Sequence, residues 1–170
     1  ENTIVVFTSD HGYLLGHHHK YQKQHLFEEA TRVPFIISVP WLNEQHGRGT
    51  SKITELVDLY PTLVELADLP APATLQGTSL KPLLADTDSP SWKKEQAFTI
   101  SRGGGESIRT KDWRFTQWGF GEKGLELYDL KKDPDEFTNQ AGNPEYAPVV
   151  KTLRAQLIAK RDAAGFKQNR

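Results

Sequence analysis

Two short apolar runs stand near the start of the chain, separated by mostly polar sequence. Ile4–Phe7 and Val33–Val39 are continuous runs rich in β-branched and aromatic residues. Such runs are typical of strands buried on both faces, the kind found in parallel sheets. About twenty residues of connection separate them, which is long enough for a functional loop. We predict that both strands lie in one mainly parallel sheet, with Asp10 and His11 at the carboxyl end of the first strand.

The pattern changes to helical spacing after residue 54. The segment TELVDLYPTLVELADL repeats leucine every three or four positions, which predicts a helix over about Leu59–Ala67. Asp58 is a candidate N-cap for this helix, and Pro61 stands in its first turn. The next segment, PAPATLQG, is typical of a linker, and SLKPLLAD predicts one short helical turn.

The remainder of the chain has the shorter alternation of an antiparallel unit. Lys111 and Asp112 stand where a two-residue hairpin turn belongs. A final helix over about Tyr146–Ala163 carries one apolar stripe that can pack on the sheet. The predicted strands are Gln96–Ser101, Ser107–Thr110, Trp113–Trp118 and Leu125–Leu130. We therefore predict two parts, residues 1–90 with an α/β fold and residues 91–170 forming a small α+β subdomain.

Composition narrows the functional classes. The 170 residues are 36% hydrophobic and 25% charged, which is ordinary for a folded domain. The formal net charge of −1 argues against nucleic acid as the main partner, because phosphate binding needs a basic field. The apolar runs are too short to predict a membrane span. The chain has no cysteine, which excludes disulfides and a cysteine nucleophile within it. A start without methionine or a basic leader suggests a piece of a longer protein.

Residues 8–29 contain five of the six histidines. A metal-binding tract, a solvated loop and one wall of an active site are all open interpretations. Asp10 and His11 directly follow a predicted buried strand, where ligands of α/β sheets bind, and Lys23 could hold an anion. Taken alone, a turn-capping Asp10 and a structural hydrogen bond from His11 are the more common outcome. The run His17–His19 suggests metal binding by composition, although neighbouring loop side chains seldom converge on one ion.

The order of the motifs resembles the later part of type I sulfatases. VVFTSDHG followed by LLGHHHKYQKQHLFEEATRVPFIISVP fits the family pattern of a strand, S-D-H-G, L-G-x-H-G, an aromatic residue, x-K, F/Y-E and T-R-V-P. Downstream, LQGTSLKPLL, SIRTKDWRFTQW and ELYDLKKDPDEFTNQA also resemble the family, most closely its iduronate-2-sulfatase-like branch. The resemblance implies the end of an alkaline-phosphatase-like, mainly parallel sheet with helices, followed by a small antiparallel sheet packed with a C-terminal helix.

The resemblance also implies a reaction and the residues that would take part in it. Type I sulfatases hydrolyse sulfate esters with a formylglycine, made within a C-x-P/A-x-R motif, beside a divalent cation that is usually calcium. By this resemblance Asp10 and His11 would be cation ligands, and Lys23 would be the catalytic cation that holds the sulfate. His18 and Tyr13 would contact the substrate. The formylglycine motif is absent here, so the missing N-terminal part of the domain would supply it, and this piece alone would be inactive.

The expected substrate is a sulfated sugar or a saccharide derived from a glycosaminoglycan. Family resemblance implies a secreted, periplasmic or lysosomal location. His17 stands where the family commonly has an acidic residue and His19 where it commonly has glycine, so the shape of this loop is an open question. Two alternatives remain: a phosphatase or phosphonate monoester hydrolase of the same superfamily, and a non-catalytic module that binds anions or carbohydrate.

Overall fold

The computed structural model describes residues 2–166. Short 3-10 turns connect several of its elements, including turns at His17–His19 and Leu56–Asp58. No helix in this range is both long enough and apolar enough to span a membrane. In chain order the strands and helices are β1 (Val5–Thr8), β2 (Leu14–Leu15), β3 (Tyr21–Gln22), α1 (Glu28–Thr31), β4 (Phe35–Ser38), α2 (Leu59–Leu66), α3 (Lys81–Ala85), β5 (Ala97–Ile100), β6 (Gly105–Arg109), β7 (Trp113–Trp118), β8 (Gly124–Asp129) and α4 (Ala147–Ala163).

The chain divides into two compact units. The first unit contains the described residues up to Asp10 together with Val33–Glu95. The second contains His11–Arg32 and the described residues from Gln96 onward. The predicted domain division at residues 90 and 91 stays a prediction.

Strands β1 and β4 form a two-stranded sheet in the first unit. They are antiparallel, with Val5 opposite Ser38 and Thr8 opposite Phe35. The prediction that the two runs share a sheet is confirmed, but the parallel direction that their composition suggested is wrong for this pair. Continuous apolar composition does not by itself decide strand direction, because apolar side chains fit antiparallel pairs as well. Burial on both faces is also wrong for this pair as described, because Val5, Phe7 and Ile36 are exposed.

The core of the first unit forms where α3 meets the sheet. Leu80, Leu83 and Trp92 are buried together, and Phe35 and Ile37 of β4 pack against them. The indole nitrogen of Trp92 donates a hydrogen bond to the carbonyl of Ile53, at 3.1 Å. The polar edge of this large ring is therefore satisfied inside the core.

Asp58 has a different role from the predicted helix cap. It stands at the position before α2, but its side chain makes no capping bond to that helix. Instead its carboxylate accepts from the backbone N–H groups of Glu55 and Thr78 and from the Lys94 ammonium, at 2.6–2.9 Å. Buried Asp58 thus joins the start of α2 to the following loop and to Lys94. The N-cap prediction identified the position correctly and the partner wrongly.

The second unit contains the predicted antiparallel sheet. Its strand order is β5-β6-β7-β8, with every neighbouring pair antiparallel. Thr110 and Trp113 pair across the predicted Lys111–Asp112 turn. Leu153 and Leu157 of α4 are buried against the inward-facing residues of the sheet, Ile108, Phe115 and Leu127. The prediction of a small antiparallel sheet packed with a C-terminal helix is confirmed.

Candidate active-site loop

The histidine loop, defined as residues 11–32, belongs to the second unit. Its beginning is held against α1, because the Gly12 N–H donates to the Ala30 carbonyl at 2.9 Å. A β-carbon at Gly12 would lie 1.8 Å from the carbonyl oxygen of Glu29. Only glycine fits this approach without a shift of the backbone. The two ends of the loop are therefore in direct contact.

A small hairpin presents the histidine run. Leu14–Leu15 pairs with Tyr21–Gln22, and Gly16 donates to the Lys20 carbonyl at 2.9 Å. Gly16 has a φ of 109°, which glycine adopts without steric cost. Leu14 is fully buried and fixes the hairpin to the unit. The three consecutive histidines thus form a tight turn at the hairpin tip.

The rings of His17 and His18 belong to an aromatic cluster. The His18 ring stacks on Phe27, with centroids 3.8 Å apart and an interplanar angle of 10°. Phe137 lies 4.8 Å from each histidine ring. Burial, and secondarily the neighbouring His17, lower the pKa of His18 below its ordinary value. Near neutral pH the His18 ring is therefore predominantly uncharged.

A buried ionic network attaches α1 to the sheet. Glu28 accepts from the Arg109 Nε at 2.8 Å, and its backbone N–H donates to Glu136 at 2.8 Å. Arg114, on β7, donates to Glu136 and to the hydroxyl of Thr31. Burial raises the pKa of Glu136, while the Arg114 guanidinium acts in the opposite direction. This network fixes the helical end of the histidine loop.

Lys23 and Tyr13 are both exposed on the histidine loop. Lys23 follows Gln22, a non-glycine residue with a φ of 83°. Such backbone is strained, and strain of this kind is concentrated at functional sites. Within residues 2–166, the Lys23 ammonium makes no hydrogen bond or ion pair. No described residue pairs with this cation, which the loop presents to solvent from a backbone held at both ends.

Asp10 ends a segment of the first unit, two residues after β1, and is exposed. His11 begins the second unit, and its Nδ1 lies 2.8 Å from the Gly12 carbonyl. A carbonyl oxygen only accepts, so Nδ1 donates, and a neutral ring then carries its lone pair on Nε2. That is the tautomer of a metal-ligating imidazole. A carboxylate followed by such an imidazole fits the donor set of a divalent cation.

Sequence reasoning missed the residues that hold the loop. Glu29, Arg114 and Glu136 were not singled out, although each is buried or half-buried. One signal was available: Arg114 stands between Trp113 and Phe115 in a strand otherwise free of charge. A cation within such a strand needs a buried partner. The identity of that partner depends on tertiary contacts.

The profile of the family described as "N-sulphoglucosamine sulphohydrolase, C-terminal" matches residues 16–163. The chain belongs to this sulfatase family. The match includes most of the histidine loop, the antiparallel sheet and α4. The closer resemblance to the iduronate-2-sulfatase-like branch stays a prediction.

Curated relatives of this sulfatase chain are longer proteins. The chain is 35% identical over 168 residues to an N-acetylglucosamine-6-O-sulfatase of Bacteroides thetaiotaomicron, covering 92% of this chain and 30% of the relative. It is 35% identical to arylsulfatase K of Bos taurus, with the same two coverages, and 37% identical to an arylsulfatase of Clostridium perfringens, covering 33% of that protein. The chain therefore spans about a third of the length of these relatives.

Solved structures share the fold. A protein in complex with its substrate D-glucosamine-2-N,6-O-disulfate superimposes with a TM-score of 0.83 at 32% identity, covering 94% of the sulfatase chain and 34% of that protein. A 2-O GAG sulfatase gives a TM-score of 0.83 at 30% identity, with coverages of 95% and 36%. The phosphonate monoester hydrolase of Agrobacterium radiobacter gives 0.80 at 28%, with coverages of 94% and 35%.

Proposed function

We propose that this chain acts as the C-terminal portion of a sulfatase that hydrolyses sulfate esters of a sulfated saccharide. The observation that carries the proposal is the exposed Lys23 ammonium, which has no ionic or hydrogen-bonding partner within residues 2–166, on a loop held at both ends. An unpaired cation on a fixed backbone is suited to hold an anionic group without losing an existing contact. Family membership gives the anion its identity as sulfate.

In this proposal Lys23 acts through the positive charge of its ammonium group. Its ammonium binds a sulfate oxygen and offsets the negative charge that develops as the ester bond breaks, which stabilises the transition state. Asp10 and His11 are proposed to hold a divalent cation, calcium by family resemblance. When bound, that cation supplies further positive charge at the sulfate group. The nucleophile, expected to be a formylglycine, would come from the portion of the sulfatase that this chain does not cover.

The substrate class follows from the relatives. One relative is named for 6-O-sulfated N-acetylglucosamine, one structure holds glucosamine disulfate, and another is a 2-O sulfatase of glycosaminoglycans. These proteins differ in the position of the sulfate but share an amino-sugar or glycosaminoglycan substrate. We therefore propose a sulfated saccharide of this class, acted on in a secreted, periplasmic or lysosomal compartment. The predicted contacts of Tyr13 and His18 with the sugar stay predictions.

A phosphonate monoester hydrolase is the second candidate. It is supported by the Agrobacterium radiobacter structure, which matches nearly as well as the sulfatases. Lys23 and a divalent cation can bind a phosphonate oxygen as well as a sulfate oxygen, since both groups are anionic. Comparing turnover of one aryl group esterified to sulfate and to a phosphonate separates the two candidates. Preference for the phosphonate ester would overturn the sulfatase proposal.

The central test replaces Lys23 in the intact protein that carries this chain. Removing one preorganised donor at a developing charge costs about 10²–10³ in kcat, so Lys23→Ala should lower kcat on a sulfate ester by that factor. Stability should be unchanged, because Lys23 is exposed. Lys20→Ala is the matched control, since Lys20 is an exposed lysine of the same loop. Equal activity in both variants would contradict the proposal.

A further inference from the structure

A second group of possible ligands lies in the histidine loop, distinct from Asp10 and His11. His17, His18 and Glu29 each offer one ligand atom, and these atoms lie within 4.8 Å of one another. The His17 Nε2 is 3.0 Å from the Glu29 Oε1. All three side chains are half-buried. Two imidazoles and a carboxylate are therefore close enough to share one ion.

The side chains of His17 and His18 converge because His18 has an unusual backbone conformation. Neighbouring loop side chains seldom converge on one ion, which argued against chelation by the histidine run. His18, however, has φ 54° and ψ 23°, in the left-handed region, directly after the turn at Gly16. The His17 and His18 rings consequently meet, with centroids 4.6 Å apart. The left-handed turn removes the main geometric objection to a shared ion.

In the part of the chain that the structure describes, two atoms of the cluster lack partners. Within residues 2–166, the His18 Nε2 and the Glu29 Oε2 are buried and make no hydrogen bond. Buried polar atoms are nearly always satisfied, and an exception can mark an ion site. The contact between His17 and Glu29 accounts for the other carboxylate oxygen only. A simple hydrogen-bonded pair therefore leaves a ring nitrogen and an oxygen unexplained, and both are atoms of a type that binds metal ions.

We propose that His17, His18 and Glu29 bind a divalent transition metal ion of the zinc type. Two imidazoles and one carboxylate form a common three-ligand zinc set, with further positions open to water. Calcium instead takes six to eight oxygen ligands, so this site differs from the proposed Asp10–His11 cation. Phe27 and Phe137 stack on the two rings and hold their orientation.

The ion would stabilise the loop that presents Lys23. His17 and His18 lie before Lys23 in the sequence and Glu29 lies after it, so one ion would close the intervening segment. Cross-linking two ends of a segment lowers the conformational freedom of the residues between them. The proposal gives the His18 Nε2 a ligand role in place of the predicted substrate contact. It does not depend on the sulfatase activity of the protein.

Equilibrium dialysis of the intact protein against Zn²⁺, with excess Ca²⁺ present, tests the site. We expect one bound zinc that calcium does not displace. His18→Asn and Glu29→Gln should each weaken zinc binding at least about tenfold, because each removes a direct ligand. His19→Asn is the matched control: His19 also has a left-handed φ, 55°, but is exposed and outside the cluster. Asparagine tolerates this conformation.

Several results would overturn the proposal. One is the absence of stoichiometric zinc binding. Another is equal loss in His19→Asn and His18→Asn, which would indicate an unstructured histidine tract. The third is displacement by calcium, which would place the zinc at the other cation site. X-ray absorption of the zinc-loaded wild-type protein gives an independent measurement: two imidazole ligands are expected, and a shell without them contradicts the site even where a variant fails to fold.

Discussion

At the scale of single residues, Gly12 decides whether the histidine loop can close. We expect Gly12→Ala to destabilise the second unit by roughly 1–3 kcal/mol, because its β-carbon would overlap the Glu29 carbonyl oxygen. Urea unfolding measures the change. Gly142→Ala is the control in the same unit, since nothing lies within 4 Å of a β-carbon there. Equal stability of the two variants would show that the contact between the loop ends is not required.

Replacement of Asp10 tests the proposed cation site. Asp10→Ala in the intact protein should lower activity on a sulfate ester, and excess divalent cation should partly restore it, because the defect lies in the ligand set. Lys23→Ala should not respond to added cation, since its defect is the lost ammonium. Titrating activity against calcium concentration measures the difference. Identical cation dependence of activity in wild type and Asp10→Ala would show that Asp10 is not a ligand of the cation.

Candidate site residues could be assigned from a sequence motif, whereas the partners of some other residues could not be foreseen. Lys23, Asp10 and His11 fall in the pattern S-D-H-G to x-K, which is local and therefore readable. The partner of Asp58 is Lys94, 36 residues away, and the convergence of His17 and His18 depends on a left-handed φ in a residue that is not glycine. Neither feature has a local signal, because each is imposed by packing.

At the scale of elements, the network beneath α1 should dominate stability. Arg114→Met leaves Glu136 buried without its cation, which we expect to cost about 3 kcal/mol, at the low end for a broken buried pair because Glu28 N–H still donates to Glu136. Chemical denaturation at neutral pH measures this cost. Lys131→Ala breaks an exposed pair with Asp112 and should cost about 0–1 kcal/mol. Similar costs for both variants would contradict the role of the network.

The cost of Arg114→Met should also depend on pH. Without the guanidinium, burial should raise the pKa of Glu136 further in the folded state. A raised folded pKa means that the folded state holds the proton more tightly, so stability is present at low pH and lost as the pH rises through that pKa. The variant should approach wild-type stability as the pH falls towards about 4.3, the ordinary pKa of glutamate. A cost that grows on acidification would contradict this assignment.

The bounds of two elements could be predicted closely from the sequence. Trp113–Trp118 was predicted with its exact bounds, and α4 begins one residue after the predicted start. Along α4 one face is buried and the other polar, so period and position are both visible in the sequence. Trp113–Trp118 is instead buried along most of both faces, and its bounds were visible from its aromatic residues and the turn before it. The antiparallel direction of β1 and β4 could not be predicted from the sequence. The run VPFIISV is apolar at every position except Ser38 and fits either direction.

At the scale of the whole molecule, β1 and β4 present Val5, Phe7 and Ile36 to solvent with exposures of 57%, 62% and 60%. Such a cluster is more apolar than a typical free surface. The chain covers about a third of its curated relatives, so we propose that the remainder of the sulfatase covers this face.

The 170-residue chain by itself should not hydrolyse a sulfate ester. In our proposal Lys23, Asp10 and His11 would supply charge and cation ligands, but the chain has no cysteine and no C-x-P/A-x-R motif from which a formylglycine could form. Charge stabilisation without a nucleophile leaves the sulfate ester intact, so we expect no turnover of an aryl sulfate or a sulfated disaccharide by the isolated chain in excess calcium, whereas the intact protein turns over at least one. Dialysis of the disaccharide against the isolated chain adds a second measurement. Tight binding without turnover would favour a carbohydrate-binding module, and turnover by the chain alone would show that its own residues contain a complete catalytic site.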